Sequence, residues 1–211
     1  MSPSENMTPT EIAASYDEIA HRWQDETFDN TNGIAAHQRA LAFISNPGAA
    51  LDAGCGCNGR FFDLLENCGF TVEGVDISSA MIERASQSHP HITLHHADIC
   101  TWQPPRQYSF ISAWDSIWHV QLESQADVIT KLMSALLPNG VLIFTMGGLH
   151  YEDEVFDNAM GVPMYHSTLG LKKTLSLIAD NDCICRHLEY DQFPEPHVYV
   201  IVQATAEKDR K

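Results

Sequence analysis

The chain reads as a doubly wound α/β protein, and three observations predict it. Apolar runs of strand length alternate with helix-length amphipathic segments from about residue 50 to residue 204. Three strands in succession lead to an acid near their C-terminal ends: Asp52, Asp76 and Asp98. The last two apolar runs, 183–190 and 198–204, are joined by a loop too short for a crossover and must pair antiparallel. Together these predict a seven-stranded sheet with an antiparallel last strand. Helices on both faces complete three αβα layers, and ligands of such sheets bind beyond the strand carboxyl ends.

The elements follow in order. Residues 1–9 read as a tail, and Glu11 to Asp25 is helical in pattern, with Ile12, Tyr16, Ile19, Ala20 and Trp23 on one face and Thr10 as the N-cap. A second helix, 34–44, stops at Asn46-Pro47-Gly48. The first strand covers 50–53, its helix ends near Asn67, and Cys68-Gly69-Phe70 turns into the second strand at 71–75. Ser79 to Ser88 is a helix capped by Asp76 or Ser78, and 91–95 is the third strand. A Pro-rich loop leads to the fourth strand, 108–114, and to a helix over 124–136. Pro138-Asn139-Gly140 turns into the fifth strand, 141–146. An irregular stretch of 147–167 precedes a helix over 168–181 and the final strand pair. The whole chain, 1–211, is expected to form one domain, with 1–45 as a helical lid and 147–167 as a substrate-side insertion.

Composition narrows the function classes. Twenty-eight acids against 12 lysines and arginines give a formal charge of −16, which repels phosphate backbones and anionic lipid. A neutral or cationic small molecule is the expected partner, with no nucleic acid and no membrane, acting on a monomer or homodimer. No apolar run approaches the roughly 18 residues of a membrane span, and the N-terminal residues lack a secretory pattern, so a cytoplasmic location is expected. The six cysteines lack the common zinc spacing and read as free thiols, and no metal is expected.

The segment Asp52-Ala53-Gly54-Cys55-Gly56-Cys57-Asn58-Gly59 carries glycines at G-x-G-x-x-G spacing between a strand and a helix, a nucleotide-shaped cradle. Alone, that spacing also suits a dinucleotide site. With Asp76-Ile77-Ser78, Ala97-Asp98-Ile99 and Leu137-Pro138-Asn139-Gly140-Val141-Leu142, the order and spacing resemble the class I S-adenosylmethionine (SAM)-dependent methyltransferases over roughly residues 12–205.

The resemblance implies a Rossmann-like fold, SAM as methyl donor, S-adenosyl-L-homocysteine (SAH) as product, and transfer to oxygen or nitrogen of a small molecule. It implies that Gly54, Cys55 and Gly56 bring the backbone against the amino-acid tail, with Asp52 near its ammonium. Asp76 would hold the ribose hydroxyls, and Ile77 and Met81 would flank adenine, although Met81 is equally suited to the core. Asp98 and the Ile99 amide would meet the adenine edge. Trp114 or Asp115 would touch the methionine part, and Arg39 is a candidate partner for its carboxylate.

Methyl transfer from a sulfonium is an in-line displacement, so alignment and matched charge matter most. A base matters only where the nucleophile is still protonated. Histidine suits that task, and the candidates are His119, His150, His166 and His197. Trp118, Tyr151 and Tyr165 are candidate substrate contacts; each is also a plausible packing residue. Two alternatives compete: an NAD-dependent oxidoreductase, and a non-catalytic SAM-binding domain serving a partner protein. The acid before the first glycine, the preceding helices and the terminal antiparallel pair weigh against the oxidoreductase.

Overall fold

A computed structural model of the chain describes residues 7–206. Its centre is a seven-stranded sheet in the order β3-β2-β1-β4-β5-β9-β8. The strands are β1 (Ala49–Ala53), β2 (Thr71–Asp76), β3 (Thr93–His96), β4 (Tyr108–Ala113), β5 (Leu136–Gly147), β8 (Cys183–Glu189) and β9 (His197–Ala204). Strands β1 to β5 pair in parallel, and β9 runs antiparallel between β5 and β8. This is the architecture expected from the alternating pattern and the short last connection.

Both faces of the sheet are dry. Helices α2 (Ile34–Leu41), α3 (Arg60–Asn67) and α4 (Ser79–Ser88) cover one face through Ala40, Phe62, Leu65, Met81 and Ala85. Helices α5 (Leu122–Ser134) and α6 (Gly170–Asp180) cover the other through Val128, Ile129, Leu132 and Ile178. The central strands are therefore continuous apolar runs, as a doubly covered parallel sheet requires.

Helix α1 (Pro9–Ile19) starts earlier than the pattern implied. Thr8, not Thr10, is the N-cap: its hydroxyl accepts from the Glu11 amide, and the Glu11 carboxylate accepts from the Thr8 amide. The helix gives way to a 3-10 turn at Ala20–Gln24, so the helical face read as far as Asp25 is two pieces. Part of the expected N-terminal tail, residues 1–6, lies outside the described residues. Helix α2 ends three residues short of the predicted Ile44, and the third strand begins two residues later than expected. Helix α5 runs two residues ahead of its predicted frame at each end.

Two departures are larger. Pro138-Asn139-Gly140 does not precede the fifth strand; it lies inside the 12-residue β5 as an irregularity opposite Tyr108 and Phe110. Asn139 has φ 63°, and a Cβ at Gly140 would stand 2.8 Å from the Leu137 carbonyl oxygen and 2.9 Å from that of Tyr108. The glycine is therefore needed for close approach of two backbones. The stretch expected to be irregular holds a hairpin, β6 (Asp153–Asp157) antiparallel to β7 (Met164–Thr168), forming a separate two-stranded sheet. Tyr165 and Met164 pack it against Ile12 and Ile19 of α1.

Candidate active site

The carboxyl ends of β1, β2 and β4 open into a cavity of about 320 Å³, bordered above by α1 and at one side by the hairpin region. Along the floor lie Gly54, Cys55, Gly56, Asp76, Ile77, Met81, Asp98 and Ile99, all of which the sequence had singled out. Gly54 and Gly56 have φ of 76° and 57°. A Cβ at Gly54 would stand 2.2 Å from that of Ser116, whereas one at Gly56 would meet no atom within 4 Å. Glycine at the first position thus lets the turn after β4 close on the turn after β1, and at the second it leaves the cavity floor bare.

Asp76 is held through both of its oxygens. Its Oδ2 accepts from the Gly56 amide at 2.9 Å and its Oδ1 from the Ser78 amide at 2.8 Å. Burial raises its pKa, while those amides oppose the rise. Asp98 is held through one, its Oδ1 accepting from the Cys100 amide at 2.8 Å. Ser78 caps α4 and also donates to Asp17 of α1 at 2.6 Å; Asp17 accepts from the Ala80 amide as well. Helix α1 is thereby tied to the turn that presents Asp76.

Asp52 lies elsewhere. It is only 3% exposed and does not border the cavity. Beneath the glycine turn, the His37 Nδ1–H donates to the Gly33 carbonyl at 2.8 Å, leaving Nε2 to accept from the Ser112 hydroxyl at 2.9 Å. Burial pushes Asp52, which lies beside Ser112 in the sheet, up to about 7 against the lowering effect of that hydroxyl, and pushes His37 down to about 3.

Arg39 is also remote: its guanidinium meets His187 at 3.2 Å and Glu189 at 3.6 Å on an exposed face. Among the described residues, the Lys or Arg that borders the cavity is Arg60, the first residue of α3. Its Nε donates to the Asn32 carbonyl at 3.0 Å, and its guanidinium lies 4.2 Å from the Phe61 ring centroid and 5.2 Å from that of Phe28. Trp114 borders the same region, and its Nε1–H is buried with no partner among the described residues. Sequence reasoning missed Arg60, although a cation opening the helix after the glycine turn was a usable signal.

Asp115 borders the cavity in a strained left-handed backbone, φ 51°, fixed by its amide donating to the Thr145 hydroxyl at 2.8 Å. Its carboxylate faces His197 Nε2 at 3.1 Å, and His197 Nδ1 faces Asp191 at 2.5 Å. Burial pushes the His197 pKa down, but the two carboxylates beside it outweigh that and raise it.

The remaining histidines separate cleanly. His119 Nδ1–H donates to the Tyr165 carbonyl at 2.7 Å, so Nε2 is the acceptor for the Tyr16 hydroxyl at 2.6 Å and the Trp118 indole N–H at 3.0 Å. Burial pushes this ring down to about 4. His166 borders the cavity with Nδ1 at 3.5 Å from Asp157. His150 is exposed and does not border the cavity. Trp118 lines it as expected; Tyr151, 69% exposed, does not. Tyr165 also stays out of it, because its hydroxyl donates to Glu154 and accepts from the Leu122 amide on the far side of the hairpin.

Residues 22–180 match the family model described as a methyltransferase domain. Among curated proteins, the chain is 31% identical over 137 residues to dTDP-3-amino-3,6-dideoxy-alpha-D-glucopyranose N,N-dimethyltransferase of Streptomyces fradiae, covering 63% of this chain and 52% of that protein. It is 35% identical over 106 residues to trans-aconitate 2-methyltransferase of Yersinia pestis (strain Pestoides F), covering 49% and 40%. The chain thus spans about half the length, or less, of the curated relatives it matches. Among solved structures, magnesium protoporphyrin IX methyltransferase of Synechocystis PCC 6803 with bound SAM superposes with a TM-score of 0.72 at 15% identity, covering 97% and 100%. The 1,6-didemethyltoxoflavin-N1-methyltransferase of Burkholderia thailandensis gives 0.72 at 14% identity, covering 96% and 93%. With the family model matching most of its length and Asp76 and Asp98 set around one cavity, the chain belongs to the methyltransferase-domain family.

Proposed function

We propose that this protein transfers a methyl group from SAM to oxygen or nitrogen of a neutral or cationic small molecule. The observation that carries this is the grip on Asp76. The Gly56 and Ser78 amides each hold one of its oxygens, and the carboxylate borders the cavity where a pair of adjacent hydroxyls can donate to it. Ile77 and Met81 flank it with apolar surface for a purine, and Asp98 stands at the next strand tip for an exocyclic amine. The bare floor at Gly56 leaves room for the ligand's chain.

The amino-acid tail is the second test of fit. Arg60 and the unpaired Trp114 indole N–H offer two donors for a carboxylate, and Asp115 offers an anion for an ammonium. These replace Arg39 and Asp52, which stand outside the cavity. When bound, SAM supplies an electrophilic methyl on a positively charged sulfur. The chain's own work is to orient it, to exclude water beneath α1, and to present the acceptor in line. We assign α1 as the lid over the cavity of this one domain.

Acceptor charge follows from the lining. Among the described residues, Arg60 is the one Lys or Arg that borders the cavity, against Asp76, Asp98 and Asp115. His119 and His166 are held neutral by burial. A polyanionic acceptor would be repelled. Incubation with methyl-labelled SAM and neutral, cationic and polyanionic acceptor sets should release SAH only with the first two, and not with Asp76→Ala. Turnover confined to polyanions, or unaffected by Asp76→Ala, would contradict the assignment.

A further inference from the structure

We propose that His166, oriented by Asp157, is the base that takes the acceptor's proton, and that the acceptor is a planar, uncharged molecule methylated at an acidic hydroxyl. This rests on the cavity being a SAM site. The assignment comes from accounting for ring nitrogens. Both nitrogens of His119 are committed, one to the Tyr165 carbonyl and the other to Tyr16 and Trp118. Both nitrogens of His197 face carboxylates. His150 does not reach the cavity. His166 borders it, has Nδ1 turned to Asp157 at 3.5 Å, and has no partner at Nε2 among the described residues. A carboxylate beside Nδ1 keeps the ring proton there and leaves the Nε2 lone pair available.

The surroundings select the acceptor. The His166 ring lies 4.7 Å from that of His119 and 6.1 Å from that of Trp118, centroid to centroid, and Tyr16 and Met160 border the same cavity. Such walls suit a flat ring. A carboxylate or neutral amine presents its lone pair without losing a proton and would leave the base idle; a hydroxyl does not. The hydroxyl proton passes to Nε2, and the oxygen lone pair forms the bond to the methyl carbon as the carbon–sulfur bond breaks. Sulfur keeps that electron pair as a neutral thioether, and the imidazolium later returns its proton to solvent. One positive charge is lost at sulfur and one gained at His166. The titratable groups against the ring are Asp157 from β6 and His119 from the turn after β4, and His119 is itself bonded to Tyr16 of α1. Burial lowers the His166 pKa and Asp157 opposes it, which leaves a neutral ring at neutral pH.

The test uses the full chain saturated with SAH, titrated with 4-nitrophenol, whose anion absorbs in the visible. The bound probe should ionise about one pH unit below the free probe, a roughly tenfold gain in the phenolate-to-phenol ratio. His166→Gln should abolish that gain with SAH affinity by calorimetry unchanged, and Asp157→Asn should reduce it. An unshifted probe, a shift that survives His166→Gln, or absence of 4-nitrophenol binding to the SAH complex would overturn the proposal alone. Failure of the wild type to bind SAH would overturn the methyltransferase assignment and this proposal with it. If His166→Gln does not fold, site-resolved carbethoxylation of the wild type decides: His166 should react well ahead of His119 and His197, and the reverse order would overturn it.

Discussion

Asp52 and Arg39, the residues expected at the ligand's tail, stand outside the cavity, and Asp115 and Arg60 border it instead. The acid before the first glycine is buried under the turn, and burial pushes its pKa up to about 7. The sign of the linkage follows: a carboxyl raised from its unfolded value contributes stability in full below about pH 4 and loses it as pH climbs through about 7. Asp52→Asn keeps the side chain's shape and cannot ionise. Thermal unfolding should therefore show the variant gaining on the wild type between pH 5 and pH 8, by up to a few kcal/mol. Equal differences at both pH values would remove the protonated assignment. For Arg60→Ala, SAH affinity should fall about 10- to 100-fold while 5′-methylthioadenosine, which lacks the tail, binds as before; Arg39→Ala should change neither. Strand-tip acids were legible because a strand ending in an acid is a local pattern. Asp115 with His197 and Asp191 was not, because a left-handed residue and a contact between residues 82 positions apart leave no local trace.

At the scale of elements, the sheet strands and their helices were legible from period alone, since each run is buried on both sides and bounded by turns. The hairpin at 153–168 was obscured by its acids: Glu154 and Asp157 look solvated in sequence, yet they hold Tyr165 and His166. The alternation at Met164-Tyr165-His166 was the available signal. The Pro138-Asn139-Gly140 segment shows the converse, a strong turn signature absorbed into a strand irregularity. Helix α1 depends on two attachments, its Thr8–Glu11 capping box and the Asp17 carboxylate on Ser78 and Ala80. Asp17→Ala orphans the Ala80 amide and releases the lid from the Asp76 turn. It should cost about 1–3 kcal/mol in denaturant unfolding and weaken SAH binding several-fold. Unchanged SAH affinity would mean that α1 does not close the cavity.

Across the whole molecule, a charge of −16 on 211 residues opposes compaction, and the chain tolerates it because the sheet is sealed on both faces. Added salt screens that repulsion within about 10 Å at 0.1 M, so the melting temperature should rise between low salt and physiological sodium chloride. A fall would indicate that attractive ion pairs dominate. The same acidity keeps phosphate polymers away and leaves Arg60 as the cavity's single Lys or Arg among the described residues. The measurement that tests the central claim most directly is calorimetric titration of SAM into the wild type and Asp76→Ala. Micromolar binding that weakens at least 100-fold in the variant is expected, since two backbone amides and two ribose hydroxyls lose their shared acceptor. Equal binding by both proteins, or none by the wild type, would contradict the assignment of this cavity.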